Sequence, residues 1–292
     1  MIESRSLSRR LFIVANYSFM TALGLACILP FVHIWSMSVS SAGAVSAGYV
    51  TFWPIQFNID AYRFILKEPA FIRAFSVSLE RLLLGTLLGL TLTLFTAYPL
   101  SKESLAFRSR PAYVWYFIVT MLIGGGMVPT YMTIRNYGLL DSIWALVLPG
   151  AVAVFHVVLL LNFFRGLPKP LEESAFIDGA GHLTILLRIY LPLSMPAMAT
   201  IALFTMVGHW NAWFDGLLYM NKTVHYPLQT YLQSLIVQPN ILQITNLSAF
   251  LDVTERTVKA AQIFVGTLPI LIVYPFLQRF FMKGIVLGSV KG

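Results

Sequence analysis

Long stretches without charged residues dominate this chain, and they predict where it crosses a membrane. The hydrocarbon core of a bilayer is about 30 Å thick, so a crossing helix needs roughly 20 apolar residues. The charge-free windows of sufficient length are Leu11–Ile59, Leu82–Ser101, Pro111–Ile134, Ser142–Phe164, Ile189–Phe214 and Ala260–Gln278. The pattern therefore predicts an all-α chain with six transmembrane helices in a single transmembrane domain, residues 1–292.

Two regions between these windows are too polar for lipid. The first window exceeds one crossing, and its Ser-, Gly- and Ala-rich end, Ser38 to Gly48, predicts an external loop. A further charge-free window, Val224–Leu251, holds many Gln, Asn, Ser and Thr side chains that lipid would leave without hydrogen bonds. We therefore expect extracytoplasmic segments at about 40–75 and 220–258, with an amphipathic helix at Pro227–Val237.

Composition and charge support a membrane protein with both termini in the cytosol. Hydrophobic residues make up 58% of the 292 positions and charged residues 11%, whereas soluble chains carry roughly 25% charge. The net charge of +8 would suggest nucleic acid in a soluble protein, but in membrane proteins excess Lys and Arg set the orientation. One set of alternate loops, which includes the termini, carries twelve Lys and Arg residues, and the other carries eight. The denser side is expected to be cytosolic.

The polar segment from about residue 168 to 192 interrupts the hydrophobic pattern on the predicted cytosolic side. Pro168 and Pro170 end the fourth span and suit the first turn of a new helix. Glu172 and Glu173 then lie near the positive end of that helix. Gly179 and Gly181 allow a change of direction. A second short helix, from His182 to about Tyr190, is expected to lead into the fifth span.

The same segment resembles the EAA loop of ABC-importer permeases. That pattern is E-A-A, three residues, G, nine residues, I-x-L-P, and Ser174 is the one departure in its opening triplet. The resemblance implies an ATPase-coupling role, with small residues on or near the docking surface. The residues to which this role is assigned are Glu173, Ser174, Ala175, Asp178, Gly179, Ala180, Ile189, Leu191 and Pro192.

Further motifs resemble the maltose-type second permease of carbohydrate importers. Asn136–Ser142, the pair Trp210-Asn211 and the basic, Gly-rich tail from Lys283 to Gly292 all look like stretches of that family. Gly124–Gly126, Pro129-Thr130-Tyr131 and Tyr226–Gln229 are similar to the branch that imports alginate- and pectin-derived oligomers. The resemblance implies a type I permease fold that works by alternating access. The implied partners are a second, homologous permease, an ATPase dimer, an extracytoplasmic solute-binding protein, the lipid bilayer and an oligosaccharide.

The residues themselves indicate no catalytic or metal chemistry. The five His residues lack ligand spacing. Gly124–Gly126 has no Lys-Ser/Thr partner, so a hinge or close-packing role within a span is expected in place of a phosphate loop. No Walker A pattern occurs, and ATP and Mg are therefore expected on the partner ATPase. The chain itself is expected to be non-catalytic.

Candidate substrate-pathway residues cluster near the outer end of the fifth span: His209, Trp210, Asn211 and Asp215. Asn211 and Asp215 are four residues apart, which places them on one helix face. Asp215 would repel an acidic cargo unless Arg81 or a partner's cation neutralises it. A pore-facing role and a packing role for His209 and Asp215 both remain open.

We expect a permease subunit of an ATP-driven oligosaccharide importer, with an acidic cargo such as alginate-derived uronate oligomers. The alternative is an ion-coupled secondary transporter or channel. That alternative predicts acidic side chains or broken helices at a midplane site, and the charge-free windows contain no acids.

Overall fold

The computed structural model describes residues 7–103, 107–237 and 253–288. Within these ranges the regular structure is helical, without a β-strand, which confirms the predicted all-α class. The α-helices are α1 Leu7–Ser38, α2 Ala42–Ser46, α3 Asp60–Lys67, α4 Pro69–Ser101, α5 Arg110–Leu122, α6 Met127–Asn136, α7 Ile143–Val147, α8 Val154–Arg165, α9 Lys169–Ile177, α10 His182–Leu193, α11 Met195–Asn211, α12 Phe214–Tyr219, α13 Leu228–Val237 and α14 Glu255–Gly288. A 3₁₀ turn at Thr223–His225 precedes α13.

The chain divides into two compact units. The first comprises residues 7–72 and 253–268 of the described chain, and the second comprises 73–237 and 269–288. In the first unit, α1 is apolar, and an 18-residue stretch of it has no buried residues, so those side chains are available to lipid. The serines in its last turn and just after it make specific contacts: Ser36 donates to the carbonyl of Phe52 at 2.7 Å, and Ser41 caps α2.

Among the residues that the structure describes, three helical segments are long and apolar enough to cross a bilayer: Arg9–Ser38, Pro69–Ser101 and Glu255–Pro275. Two other windows form bent pairs. α5 and α6 meet at 115°, and α10 and α11 meet at 81°. α8 is shorter, with 12 residues. The predicted windows are therefore helical, but the count of six continuous spans stays a prediction.

The bends arise at specific residues. Gly124–Gly126 separates α5 from α6, and Gly126 has φ +81°, a conformation that favours glycine. The expected hinge role of these glycines agrees with the bend, and their place inside a span stays a prediction. The fifth window starts its long helix at Met195 instead of Ile189, because Ser194 breaks the helix before Pro196.

The second unit has a hydrophobic core where α4, α8, α10 and α11 meet. Leu160, Ile185 and Ile201 are fully buried there, with Ala97 between them in the same cluster. Burying such side chains stabilises by roughly 1.5–3 kcal/mol each. The core therefore holds the end of α4 firmly against the segment that follows α8.

Candidate functional site

Residues 168–192 fold as two helices joined at glycine, as the sequence predicts. Pro168 is extended and Pro170 occupies the first turn of α9. The helix ends where Gly179 adopts φ +80°, and the Ala180 N–H donates to the Ala175 carbonyl at 2.9 Å. α10 begins at His182, and its residues Leu186–Tyr190 form a π-helical turn.

The predicted coupling residues divide into an exposed and an inward-facing set. Glu173, Ser174, Asp178, Gly179 and Pro192 are exposed. Ala175, Ala180, Ile189 and Leu191 are partly buried and pack against the hydrophobic core. The two alanines pack their methyl groups inward, and their place on or near a docking surface stays a prediction.

Exposed apolar side chains accompany the outward set. Ile177 is 86% exposed and Leu183 is 58% exposed, one on each side of the glycine turn. Phe176 is also exposed and meets the ring of His182 at 5.0 Å. A small apolar surface with a carboxylate beside it, at Glu173, suits contact with another protein.

A charged joint fastens α9 to the end of α4. The Lys102 ammonium donates to Glu172 at 2.5 Å, and the Tyr190 hydroxyl donates to the other oxygen of the same carboxylate at 2.5 Å. The ammonium also lies 4.1 Å from the centre of the Tyr98 ring and 4.3 Å from that of Tyr190. Both charges are largely buried, with 13% and 18% of their side chains exposed. We call these four residues the loop joint.

The electrostatics of the loop joint reflect burial and pairing together. Burial lowers the pKa of the Lys102 ammonium, and Glu172 offsets only part of this effect. Desolvation raises the pKa of the Glu172 carboxyl, but the hydrogen bonds from Lys102 and Tyr190 outweigh it, so the net pKa is below the ordinary value. The carboxylate is therefore ionised at neutral pH and holds the joint closed.

An open cleft of about 560 Å³ lies beside the loop joint. Its charged lining comprises Lys102, Glu103, Arg110, Arg165, Lys169, Glu172 and Glu173. Lys169 pairs with Glu103 at the surface. The coupling segment thus has an exposed, charged side next to its inward-facing apolar side.

A second ion pair lies farther along α4, within the second unit. The Arg81 guanidinium forms a bidentate pair with Asp215, with Nη1 to Oδ1 at 3.1 Å and Nη2 to Oδ2. Nη1 also donates to the carbonyl of Ala212 at 3.3 Å, at the C-terminal end of α11. The expected neutralisation of Asp215 by Arg81 is present in the structure.

These residues line a cavity of about 330 Å³. Its polar lining comprises Arg81, His156, Thr205, His209, Asp215 and Tyr219. Gly85 allows His209 to approach α4, since a Cβ at position 85 would overlap the imidazole ring. We call this the cavity site.

The structure brings only two of the four predicted pathway residues into the cavity site, His209 and Asp215. Trp210 is 2% exposed and packs edge-on against Phe75 at 5.8 Å, so it is a core residue. Asn211 is exposed and is the last residue of α11. The expectation that Asn211 and Asp215 share a helix face is wrong, because the chain leaves the helix at Ala212 and α12 begins at Phe214.

Sequence reasoning missed several residues of both sites. The loop joint consists of Glu172, Lys102, Tyr98 and Tyr190, whereas the sequence pattern assigned the coupling role to the neighbouring Glu173. A charged residue directly after a predicted span, as Lys102 is, was the available signal. Nothing in the local pattern of His156 or Tyr219 distinguishes them from packing residues.

Residues 81–286 match the family described as binding-protein-dependent transport system inner membrane component. The chain is 38% identical over 288 residues to the polygalacturonan/rhamnogalacturonan transport system permease protein YtcP of Bacillus subtilis (strain 168), covering 98% of this chain and 100% of that protein. It is 41% identical over 285 residues to protein LplC of the same organism, covering 97% and 96%.

Solved structures give the same result. One chain of a bacterial ABC transporter involved in the import of the acidic polysaccharide alginate matches with a TM-score of 0.89 and 31% identity, over 94% of this chain and 98% of that chain. A chain from a bacterial alginate ABC transporter in complex with an alginate pentasaccharide-bound periplasmic protein matches with a TM-score of 0.58 at 17% identity, which shows the fold alone. The predicted resemblance to carbohydrate permeases of ABC importers, and the permease fold, are confirmed.

Proposed function

Because the chain belongs to the family of binding-protein-dependent transport system inner membrane components, we propose that it is the permease subunit of an importer for acidic oligosaccharides. The family and the relatives establish an ABC importer permease for oligosaccharides. The acidic cargo is the finer step. It is supported by the 0.89 TM-score to a chain of the alginate importer and by the full-length similarity to a permease named for polygalacturonan and rhamnogalacturonan transport.

The partners follow from this assignment. A second, homologous permease would complete the pathway, an ATPase dimer carrying ATP and Mg would dock from the cytosol, and an extracytoplasmic binding protein would deliver the cargo. The chain would lie in a bacterial inner membrane with both termini in the cytosol. Residues 40–75 and 220–258 would face outward, although 238–252 lie outside the described residues.

The coupling segment supplies the mechanical link. Glu173, Ser174 and the exposed Ile177 would contact the ATPase, because they form the outward surface of α9. Movement of that surface cannot be absorbed freely, since Glu172 is bound to both Lys102 and Tyr190. The loop joint would therefore pass ATPase closure to α4 as a rigid-body displacement.

The displacement would reach the cavity site through α4. Arg81 and Lys102 are 21 positions apart in the sequence, which is about 30 Å along a helix that rises 1.5 Å per residue. Asp215 and the Ala212 carbonyl bind Arg81 from the other side. Motion of α4 against α11 and α12 would open and close the cavity, which is the change that alternating access requires.

Reconstitution tests the proposal directly. The chain would be co-expressed with the permease, ATPase and binding-protein genes adjacent to its own gene, and the purified complex placed in proteoliposomes. We expect tetragalacturonate or an alginate tetramer, loaded on the binding protein, to stimulate ATP hydrolysis and to enter the vesicles. Stimulation by neutral tetramers alone would overturn the acidic assignment but leave the importer class intact.

A surface substitution can test the docking role of α9 without disturbing the fold. Glu173→Lys reverses the charge of an exposed side chain, so insertion and melting temperature should be unchanged while substrate-stimulated ATPase activity falls. Glu255→Lys, the same change at an exposed carboxylate outside the coupling segment, is the matched variant and should leave the stimulation unchanged. A Glu173→Lys complex with normal stimulation would remove Glu173 from the docking surface.

A further inference from the structure

The Arg81 side chain has a hydrogen-bonding edge that no group in the described part of the chain uses. A guanidinium carries five N–H donors on a planar fork and can bind carboxylates at two edges. Asp215 occupies the edge formed by the two terminal nitrogens. The other edge contains Nε, which is buried and has no hydrogen-bond partner.

Leaving this edge unpaired costs free energy, and a ligand that accepts a hydrogen bond from Nε would offset that cost. The Arg81 side chain is only 3% exposed, and a buried donor without a partner carries a desolvation penalty. The Ala212 carbonyl and Asp215 both bind through the terminal nitrogens, so neither compensates Nε. The guanidinium is held in place by groups that leave one carboxylate-binding edge unoccupied.

The surroundings suit a sugar acid. The cavity site, about 330 Å³ in volume, is at the lower end of the range of small-molecule sites. Thr205 and Tyr219 in its wall carry hydroxyl groups that can bind sugar hydroxyls. An unpaired Asp215 would repel an anionic ligand, but the positive charge of Arg81 already neutralises it.

We propose that the free edge of Arg81 binds the carboxylate of a uronate residue as it passes the cavity site, with Asp215 holding the guanidinium in position. This inference rests on the proposed function. Nε is shielded from solvent in the conformation described here, so the edge is offered when the helices around the cavity move apart during transport. Arg81 then selects acidic over neutral sugar units on the permease itself.

Arg81→Lys tests the proposal because it keeps a positive charge beside Asp215 but removes the planar guanidinium and both of its bidentate edges. The measurement is uptake into proteoliposomes of tetragalacturonate and of its methyl ester, each loaded to saturation on the cognate binding protein. We expect the ratio of acid to ester uptake to fall about tenfold in Arg81→Lys. Arg63→Lys makes the same change at an exposed ion pair with Asp60 and should leave the ratio unchanged.

A second variant gives the opposite sign and guards against a folding defect in Arg81→Lys. Asp215→Asn removes the competing negative charge and keeps an amide oxygen for Arg81, so the ratio should rise by about threefold. An unchanged ratio in either Arg81→Lys or Asp215→Asn, in complexes whose wild-type form imports tetragalacturonate, would overturn this inference. A wild-type complex that imports no acidic tetramer would instead overturn the proposed acidic cargo.

Discussion

The two ion pairs along α4 differ in how completely their hydrogen-bonding groups are used. At the loop joint, the Lys102 ammonium contacts Glu172, the Tyr190 hydroxyl and two ring faces. At the cavity site, the guanidinium of Arg81 is paired by Asp215 on one edge and is unpaired at Nε. We infer that the Lys102 pair, whose cation is surrounded by partners, serves as a mechanical joint. The Arg81 pair still has a donor that a passing ligand can bind.

Residue chemistry explains the difference. An ammonium is a compact point charge that rings and oxygens can surround from all sides, while a guanidinium is a planar fork whose edges bind separately. Replacing Lys102 by Arg would not fit the Tyr98 and Tyr190 rings in the same way, and replacing Arg81 by Lys would remove an edge. Exchanging Lys and Arg at position 102 and at position 81 should therefore have different effects.

Loss of the cavity pair should have the largest effect on stability. Arg81→Met leaves the Asp215 carboxylate with the N–H of Gly216 as a donor and removes the hydrogen bond to the Ala212 carbonyl, and breaking a buried ion pair costs about 3 kcal/mol. Thermal unfolding of the detergent-solubilised complex measures the loss. Arg63→Met removes a cation from an exposed pair and should change stability by about 0.5 kcal/mol at most. Similar losses from both variants would contradict the buried character of the Arg81 pair.

Loss of the loop joint should lower stability less than loss of the cavity pair does, but it should lower substrate-stimulated ATPase activity more. Lys102→Met leaves Glu172 with the Tyr190 hydroxyl as a donor, so we expect about 2 kcal/mol, the value of a hydrogen bond to a charged group. Substrate-stimulated ATPase activity should fall further than this loss of stability explains. Lys169→Met removes a cation from the exposed pair with Glu103 and serves as the control. If the control uncoupled the complex equally, the joint would have no special role.

The turn between α9 and α10 provides a further test at the coupling segment, because its two glycines have different backbone conformations. Gly179 has φ +80°, so Gly179→Ala should cost about 1 kcal/mol of backbone strain. Gly181 has φ −77° and open space around its Cα, so Gly181→Ala should cost no more than about 0.5 kcal/mol. Melting temperature and stimulated ATPase activity of the two variants should separate accordingly. Equal values would mean that the turn relaxes without its glycine.

Acid should weaken the loop joint by the smallest amount. The pKa of Glu172 lies below its ordinary value of 4.5, so its contribution to stability is complete above that value and is lost as pH falls through the lower, folded-state pKa. Melting curves between pH 6 and about pH 3 should therefore show a decline that Glu172→Gln reduces. An identical acid decline in the two proteins would show that other carboxyl groups account for it.

Much of the fold and part of the site could be predicted from the sequence. The charge-free windows located the helices, and Pro168, Gly179 and His182 predicted the two-helix coupling segment, because breakers and caps act locally. The hinge at Gly124–Gly126 was expected, but the breaks at Ser194 and Ala212 were missed, since an apolar composition does not show where a helix stops. The last tail residues, 289–292, lie outside the described residues.

The site residues were hardest where burial decides the role. Glu172 and Glu173 are adjacent and chemically identical, yet one is bound inside the joint and the other is exposed. Trp210 was expected to face the pathway and proves to be a core residue. Both outcomes depend on how α4 packs against α9 and α11, which is tertiary information that spacing within one helix does not contain.

The close approach of His209 to Gly85 has a consequence for how this chain can evolve. A side chain at position 85 would collide with the imidazole ring, so the two positions cannot drift independently. Relatives with alanine or serine at position 85 should carry a smaller residue at position 209, and lineages that keep histidine should keep glycine. An aligned set of homologues would reveal this pairing as correlated change between two sites 124 positions apart. Frequent coexistence of histidine with a larger residue at position 85 would show that the contact is not inherited.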